Sequence, residues 1–301
     1  VINSEFLHTA ISLRTDILFR NIDELITSGS LKSIHGTRVS ARRLRSVLEG
    51  LTYSGYYPAQ LCSHLKNLVK LTGTARELSV CISITGEYSD CALVQSFFLN
   101  DFRKYLDSLF GKEKEILLGH YELILFPEKK KEFMCLPDYS PSLPEELSDI
   151  SDSALNGLFR SIVIAHLEKI QCGFDISLSR DKFRKLHQAR IEAKSLRYII
   201  ELFNETDEKV FNHELSAVKS FVDISGTTHD YNVLISYLNK YLKVKKGKHH
   251  TPAHDNSLKS FGKYIKLKES DFYNESVKVM NIFLKDEFRL ELLKKISPDF
   301  P

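Results

Sequence analysis

The sequence predicts an all-α fold assembled from two copies of one helical unit. Three observations carry that prediction. Apolar residues recur at spacings of three and four along most of the chain, no segment alternates as a half-buried strand does, and two motif-bearing stretches repeat in the same order. Composition agrees: apolar residues make up 43% and charged residues 27%, Gly and Pro are few, and the remainder favours helix.

The first helix is marked by Phe6, Leu7, Ala10, Leu13, Ile17, Leu18, Ile22 and Leu25, and it ends near Ser28-Gly29. A second covers about Ser33 to Tyr53. Pro58 suits the first turn of a third, which reaches Leu71 before Gly73. Helical pattern then covers roughly 74–84, 88–110 and 112–125. Four prolines at 127, 137, 141 and 144, followed by Glu145, Glu146, Asp149 and Asp152, read as a linker over 127–151. Periodicity resumes over 152–171, 179–204, 207–222, 227–243, 256–270 and 274–295, with a basic loop at Lys243–His250. The chain therefore divides into a first repeat at 1–126, the linker at 127–151, and a second repeat at 152–301.

The repeat is explicit. His35, Arg38, Arg42, Leu44, Arg45 and Glu49 stand against His187, Arg190, Lys194, Leu196, Arg197 and Glu201 at an offset of 152. Lys66, Gly73, Thr74 and Val80 stand against Lys219, Gly226, Thr227 and Val233 at an offset of 153. Two ordered matches at nearly one offset are not accidental.

On a helix, positions i, i+3, i+7 and i+10 fall within an arc of about 80° and span about 15 Å. His35, Arg38, Arg42 and Arg45 thus share one face, as do His187, Arg190, Lys194 and Arg197. Ile34, Ala41, Leu44, Leu48 and Leu51 form an apolar stripe roughly 100° away, so one side can pack while the other meets a groove. A row of like charges repels itself, and a ligand with serial negative charge relieves it. One basic face is ordinarily only solvated. The same spacing twice favours a ligand. Glu49 and Glu201 read as structural partners of Arg45 and Arg197 at i, i+4.

These motifs resemble the CHAD family, the conserved-histidine α-helical domains. The family's first helix reads His-x2-Arg-x3-Arg-Arg-Leu-Arg and its second His-x2-Arg-x3-Lys-x-Leu-Arg-Tyr. His35 to Arg45 and His187 to Tyr198 fit these patterns, whereas the turns at Thr72–Glu77 and Ser225–Asp230 fit more loosely. The resemblance implies two repeats related by a pseudo-twofold axis, joined as one domain around a central basic channel. It implies non-catalytic binding of inorganic polyphosphate by His35, Arg38, Arg42, Arg45, His187, Arg190, Lys194 and Arg197, with Lys66 and Lys219 as further contributors. No catalytic residue, metal or cofactor is expected. With Lys194 and Ser195 in place of Arg42 and Arg43, the second face is expected to be less basic.

Other functions fit part of the pattern. His229-Asp230, with His187, His213 and Asp223 upstream, could belong to a metal-dependent phosphohydrolase, although Arg76-Glu77 stands in the first copy. A nucleic-acid-binding module would also use basic helices, but no aromatic residues interleave with the stripes for stacking. A scaffold with its stripes paired to internal carboxylates is the third. The net charge of +3 does not predict a nucleic-acid or membrane partner. Five cysteines (62, 81, 91, 135 and 172) without a Cys-x-x-Cys pair point to buried thiols in a reducing cytoplasm. No run of 18 apolar residues predicts a membrane span, and the first 30 residues lack a signal-peptide pattern. A cytoplasmic location is expected, with polyphosphate granules as a place of association.

Overall fold

The computed structural model describes residues 2–53, 59–91, 96–124, 151–172, 182–206, 210–245, 252–283 and 285–296. Among the described residues the chain is helical, with no strand: α1 (Ser4–Ser28), α2 (Leu31–Tyr53), α3 (Ala59–Leu71), α4 (Gly73–Cys91), α5 (Ser96–Ile124), α6 (Asp152–Cys172), α7 (Lys182–Thr206), α8 (Asn212–Lys245), α9 (Pro252–Phe283) and α10 (Asp286–Ile296). The expected linker, apart from Ser151, lies outside the described residues, as do Pro58 and residues 246–250 of the basic loop. Lys243 and Lys245 belong to the last turn of α8.

Local chemistry sets the helix ends. The Asn3 side chain accepts from the Phe6 N–H at 2.7 Å and caps α1. Gly29, with φ of 54°, closes it, donating its N–H to the Leu25 carbonyl at 2.8 Å.

The breaks expected near 85–87, 111, 223–226 and 271–273 do not occur, because α4, α5, α8 and α9 run through them. A glycine inside a helix costs about 1 kcal/mol. Burial of Cys81 and Thr85 around Gly86, and of Phe221, Val222 and Thr228 around Gly226, outweighs that cost. The expected 274–295 segment is instead divided, between α9 and α10.

Element order in 4–124 is matched in 152–283: a first helix, a motif helix (α2 and α7), a long rod (α3–α4 and α8), and a further long helix (α5 and α9). In the first rod only Thr72 departs from helix, and α-type bonds continue across it, from Thr72 N to Leu68 O and from Arg76 N to Thr72 O.

Two apolar cores hold these helices. In the larger one, the predicted stripe of α2 (Ile34, Ala41, Leu44, Leu48, Leu51) packs with Ile11, Leu18 and Ile22 of α1, and with Ala189, Ala193, Leu196 and Ile200 of α7. The smaller joins Leu78 and Cys81 of α4 to Phe102 of α5, Tyr231, Leu234 and Tyr241 of α8, and Phe261 of α9. α8 serves both, with Leu215 to Val222 in the first and Tyr231 to Tyr241 in the second. The rod α3–α4 changes over between Ala75 and Leu78. At these changeovers the polar turn motifs sit.

Cys81 is buried, but Cys62 is only half-buried and Cys172 is exposed, so the expectation of buried thiols holds for one of these three. No helix among the described residues is long and apolar enough to cross a membrane.

Candidate anion-binding cleft

At the changeover between the cores, α2, α3, α4, α7 and α8 line a cavity of about 580 Å³. The first copy contributes His35, Arg38, Arg42, Arg45, Lys66, Lys70 and Arg76, and the second His187, Arg190, Lys194 and His229. Only two carboxylates, Glu77 and Asp230, stand among them. A chain close to neutral overall thus gathers a local excess of basic residues at this cavity.

Packing dictates which face of each motif helix turns inward. With Leu44 and Leu196 fully buried against the core, the residues about 100° round α2 and α7 are left to border the cavity. Two arginines then lie against the rods at equivalent places. The Arg38 Nη1 is 3.6 Å from where a side chain on Gly73 would begin, and the Arg190 Nε is 3.6 Å from the same point on Gly226. Each glycine gives a guanidinium a flat stretch of helix to lie on.

The two arginines differ in their partners. Arg38 donates to the Val69 carbonyl at 2.5 Å and to Thr72 Oγ1 at 3.2 Å, holding the joint of α3 and α4. Arg190 is half-buried, and its Nε, out of contact with solvent, has no hydrogen-bond partner. His187 Nδ1 is likewise buried without a partner, and its ring stacks on that of His229 with centroids 4.5 Å apart.

Crowding and burial work against the positive forms. Burial, with Arg190 and Arg42 beside it, brings the Lys194 ammonium from 10.5 down to about 6. Burial and Arg190 take His229 to about 3. Burial and Arg42 bring Arg38 to about 10, and burial, then Arg190, lowers His187. The exposed ring of His35 is also lowered, by desolvation and then by Arg76. Burial raises Glu77 and Asp230 despite the opposing Arg38 and Arg190. Burial therefore works against positive charge in the cleft, and an anion brought in would offset that cost.

Not every expected residue reaches it. Arg197 does not line the cavity: its Nε lies 2.8 Å from Glu201, and Asp223 stands 3.8 Å away. Lys219, the counterpart of Lys66, does not line it either. Arg45 does, while also standing 3.3 Å from Glu49. The i, i+4 partnerships of Glu49 and Glu201 are as the sequence predicts, and Glu201 additionally holds Arg43 across the α2–α7 contact at 3.1 Å. Lys70 and Arg76 line the cavity outside the expected set. Lys70 follows Lys66 by one turn, and Arg76 lies in the Gly-x2-Arg turn, so both left a signal.

The family model for the CHAD domain matches residues 9–239. Two solved structures share the fold. One is a crystal structure of the CHAD domain from the plant Ricinus communis, with 17% identity, 99% of this chain and 92% of that one covered, and a TM-score of 0.65. The other is PptA from Streptomyces chartreusis, with 10% identity, coverage of 97% and 99%, and a TM-score of 0.59. No curated protein matches the chain.

Proposed function

Because the chain belongs to the CHAD domain family, we propose that its cleft binds inorganic polyphosphate and releases it unchanged. The carrying observation is Arg190: a half-buried guanidinium whose Nε is buried and unpaired, set beside Arg42 and Lys194 from the two motif helices. Its unmet donor is ready for a phosphate oxygen, and the forked geometry suits one. A single phosphate would meet only part of the cleft, whereas a chain could engage cations of both copies in series. Lys66 and Lys70, exposed at the cleft, would meet the chain first, and Arg42, Arg190 and Lys194 would hold it deeper. Arg38 acts mainly as a positioning residue, since it already holds Val69 and Thr72.

Binding without turnover is part of this proposal, and the placement of two residues supports it. His229 stacks on His187 instead of joining carboxylates, and Asp230 stands among arginines. Among the described residues, the one place where three His, Cys or carboxylate groups converge lies elsewhere, and none of its members lines the cleft.

The test is a titration of long-chain polyphosphate against wild type and an Arg42→Glu/Arg190→Glu variant, with triphosphate and RNA as controls. Losing two charge-assisted contacts should weaken binding by at least about 100-fold. Helical circular dichroism should not change. Unaltered affinity would refute the site, and tighter binding of RNA at equal phosphate would refute the ligand. Phosphate release during incubation would refute the absence of turnover.

A further inference from the structure

We infer that His213, Glu214 and Glu291 form a binding site for a divalent transition-metal ion of the zinc class, tying α10 to the start of α8. The site shares no residue with the cleft, so it stands or falls apart from polyphosphate binding. One ligand atom from each side chain lies within 4.8 Å of the others.

Glu214 is the centre of the argument. It sits in the first turn of α8 and is fully buried. Lys295 of α10 donates to its Oε1 at 2.5 Å and to the Val210 carbonyl at 3.1 Å. The other oxygen, Oε2, is buried and has no hydrogen-bond partner. A buried, half-satisfied carboxylate is an arrangement that folded proteins avoid unless something else completes it. Here a cation would complete it. The His213 ring and the Glu291 carboxylate, both exposed, supply two further donors from the solvent side.

Charge and donor type identify the class of ion. The two carboxylates outweigh the Lys295 ammonium, so the cluster attracts a cation even with that lysine present. One imidazole nitrogen and two carboxylate oxygens make too few hard donors for calcium, and the nitrogen disfavours magnesium. They match zinc, with water completing a tetrahedral shell. Ligand atoms around a four-coordinate zinc are about 3.4 Å apart, so the widest separation must close by about 1.4 Å. The exposed side chains of His213 and Glu291 can rotate that far. Lys295 would then act as an outer partner, fixing Glu214 through Oε1 and leaving the unpartnered Oε2 free for the ion. The bound ion would fasten the short helix α10 to the far longer α8.

The full chain, stripped with a chelator and desalted, should be titrated with Zn²⁺ by calorimetry near neutral pH, with Mg²⁺ as a contrast. One site of micromolar affinity or better is expected, with a rise in melting temperature and Mg²⁺ binding much more weakly. Because Glu214 is buried, the variants are the exposed His213→Ala and Glu291→Gln. Each should weaken zinc binding by at least about tenfold and abolish the thermal shift, while melting like wild type without metal. Zinc binding of equal strength in both variants would place the ion elsewhere, such as at His187 and His229, and overturn the assignment. So would the absence of binding at concentrations well above micromolar.

Discussion

Replacing Lys194 with methionine removes a buried ammonium while keeping an unbranched chain of similar length, and it should stabilise the ligand-free protein. In the fold this amine titrates near 6 instead of 10.5. Between those values the unfolded chain holds a proton that the folded chain lacks, so this group's contribution to stability rises with pH across the window. At pH 7 the deficit is on the order of 5 kcal/mol, from about 1.4 kcal/mol per pH unit. A chain of 301 residues unfolds with an entropy of about 0.6 kcal/mol/K, so Lys194→Met should melt roughly 4–8 °C higher, the lower end allowing for water beside the amine. The assay is a thermal melt of both proteins, without polyanion, at pH 6, 7, 8 and 9. The gap should shrink by about 2 °C for each pH unit above 6, since the wild type recovers what the variant never lost. A variant that melts at or below wild type, or a gap indifferent to pH, would show that Lys194 is not held against its charge.

Four further outcomes follow from the structure. Polyphosphate should restore the Lys194 proton, so affinity should fall as pH rises above about 6, approaching tenfold per pH unit for one proton. Calorimetry in buffers of differing ionisation heat measures that uptake directly, and zero uptake at pH 8 would contradict it. Arg38→Met should lower the melting temperature by roughly 2–5 °C, because it strips the Val69 carbonyl and Thr72 of a donor worth about 1–3 kcal/mol. Arg190→Met, whose Nε has no partner to lose, should not lower it. Gly111→Ala should raise the melting temperature by about 1–2 °C, because the added methyl meets nothing within 4 Å in mid-helix.

Periodicity and capping made much of this fold legible. The end of α1 at Gly29 and the start of α6 at Asp152 are marked by residues that stop or start helices, and the apolar period alone carries α2 to Tyr53. Glycine misled where it served another purpose. Gly226 lies inside α8 beside a guanidinium, and a local reading cannot distinguish that from a helix end. In the site, helical spacing alone placed His35, Arg38, Arg42 and Arg45 along one wall, and His187, Arg190 and Lys194 along the other. It failed at Arg197 because equal spacing does not guarantee equal surroundings. Glu201 and Asp223 stand within reach of that guanidinium, whereas Arg45 keeps its place in the cleft beside Glu49. Lys219 lies on α8 outside the cavity lining while Lys66 on α3 borders it, and equal spacing along the chain does not distinguish the two.

The two copies share a motif but divide the labour. Arg38 spends donors on the α3–α4 joint, and Lys66 and Lys70 remain in solvent, where salt screens them. The second copy places Arg190, Lys194 and the His187–His229 stack where water is scarce, and a phosphate oxygen there displaces no existing partner of Arg190 Nε or His187 Nδ1. Fewer cations in drier surroundings can bind more strongly than more cations in water, because attraction strengthens as the local dielectric falls. On the proposed reading, the desolvated cations Arg42, Arg190 and Lys194 are therefore the ones on which a bound chain would depend most.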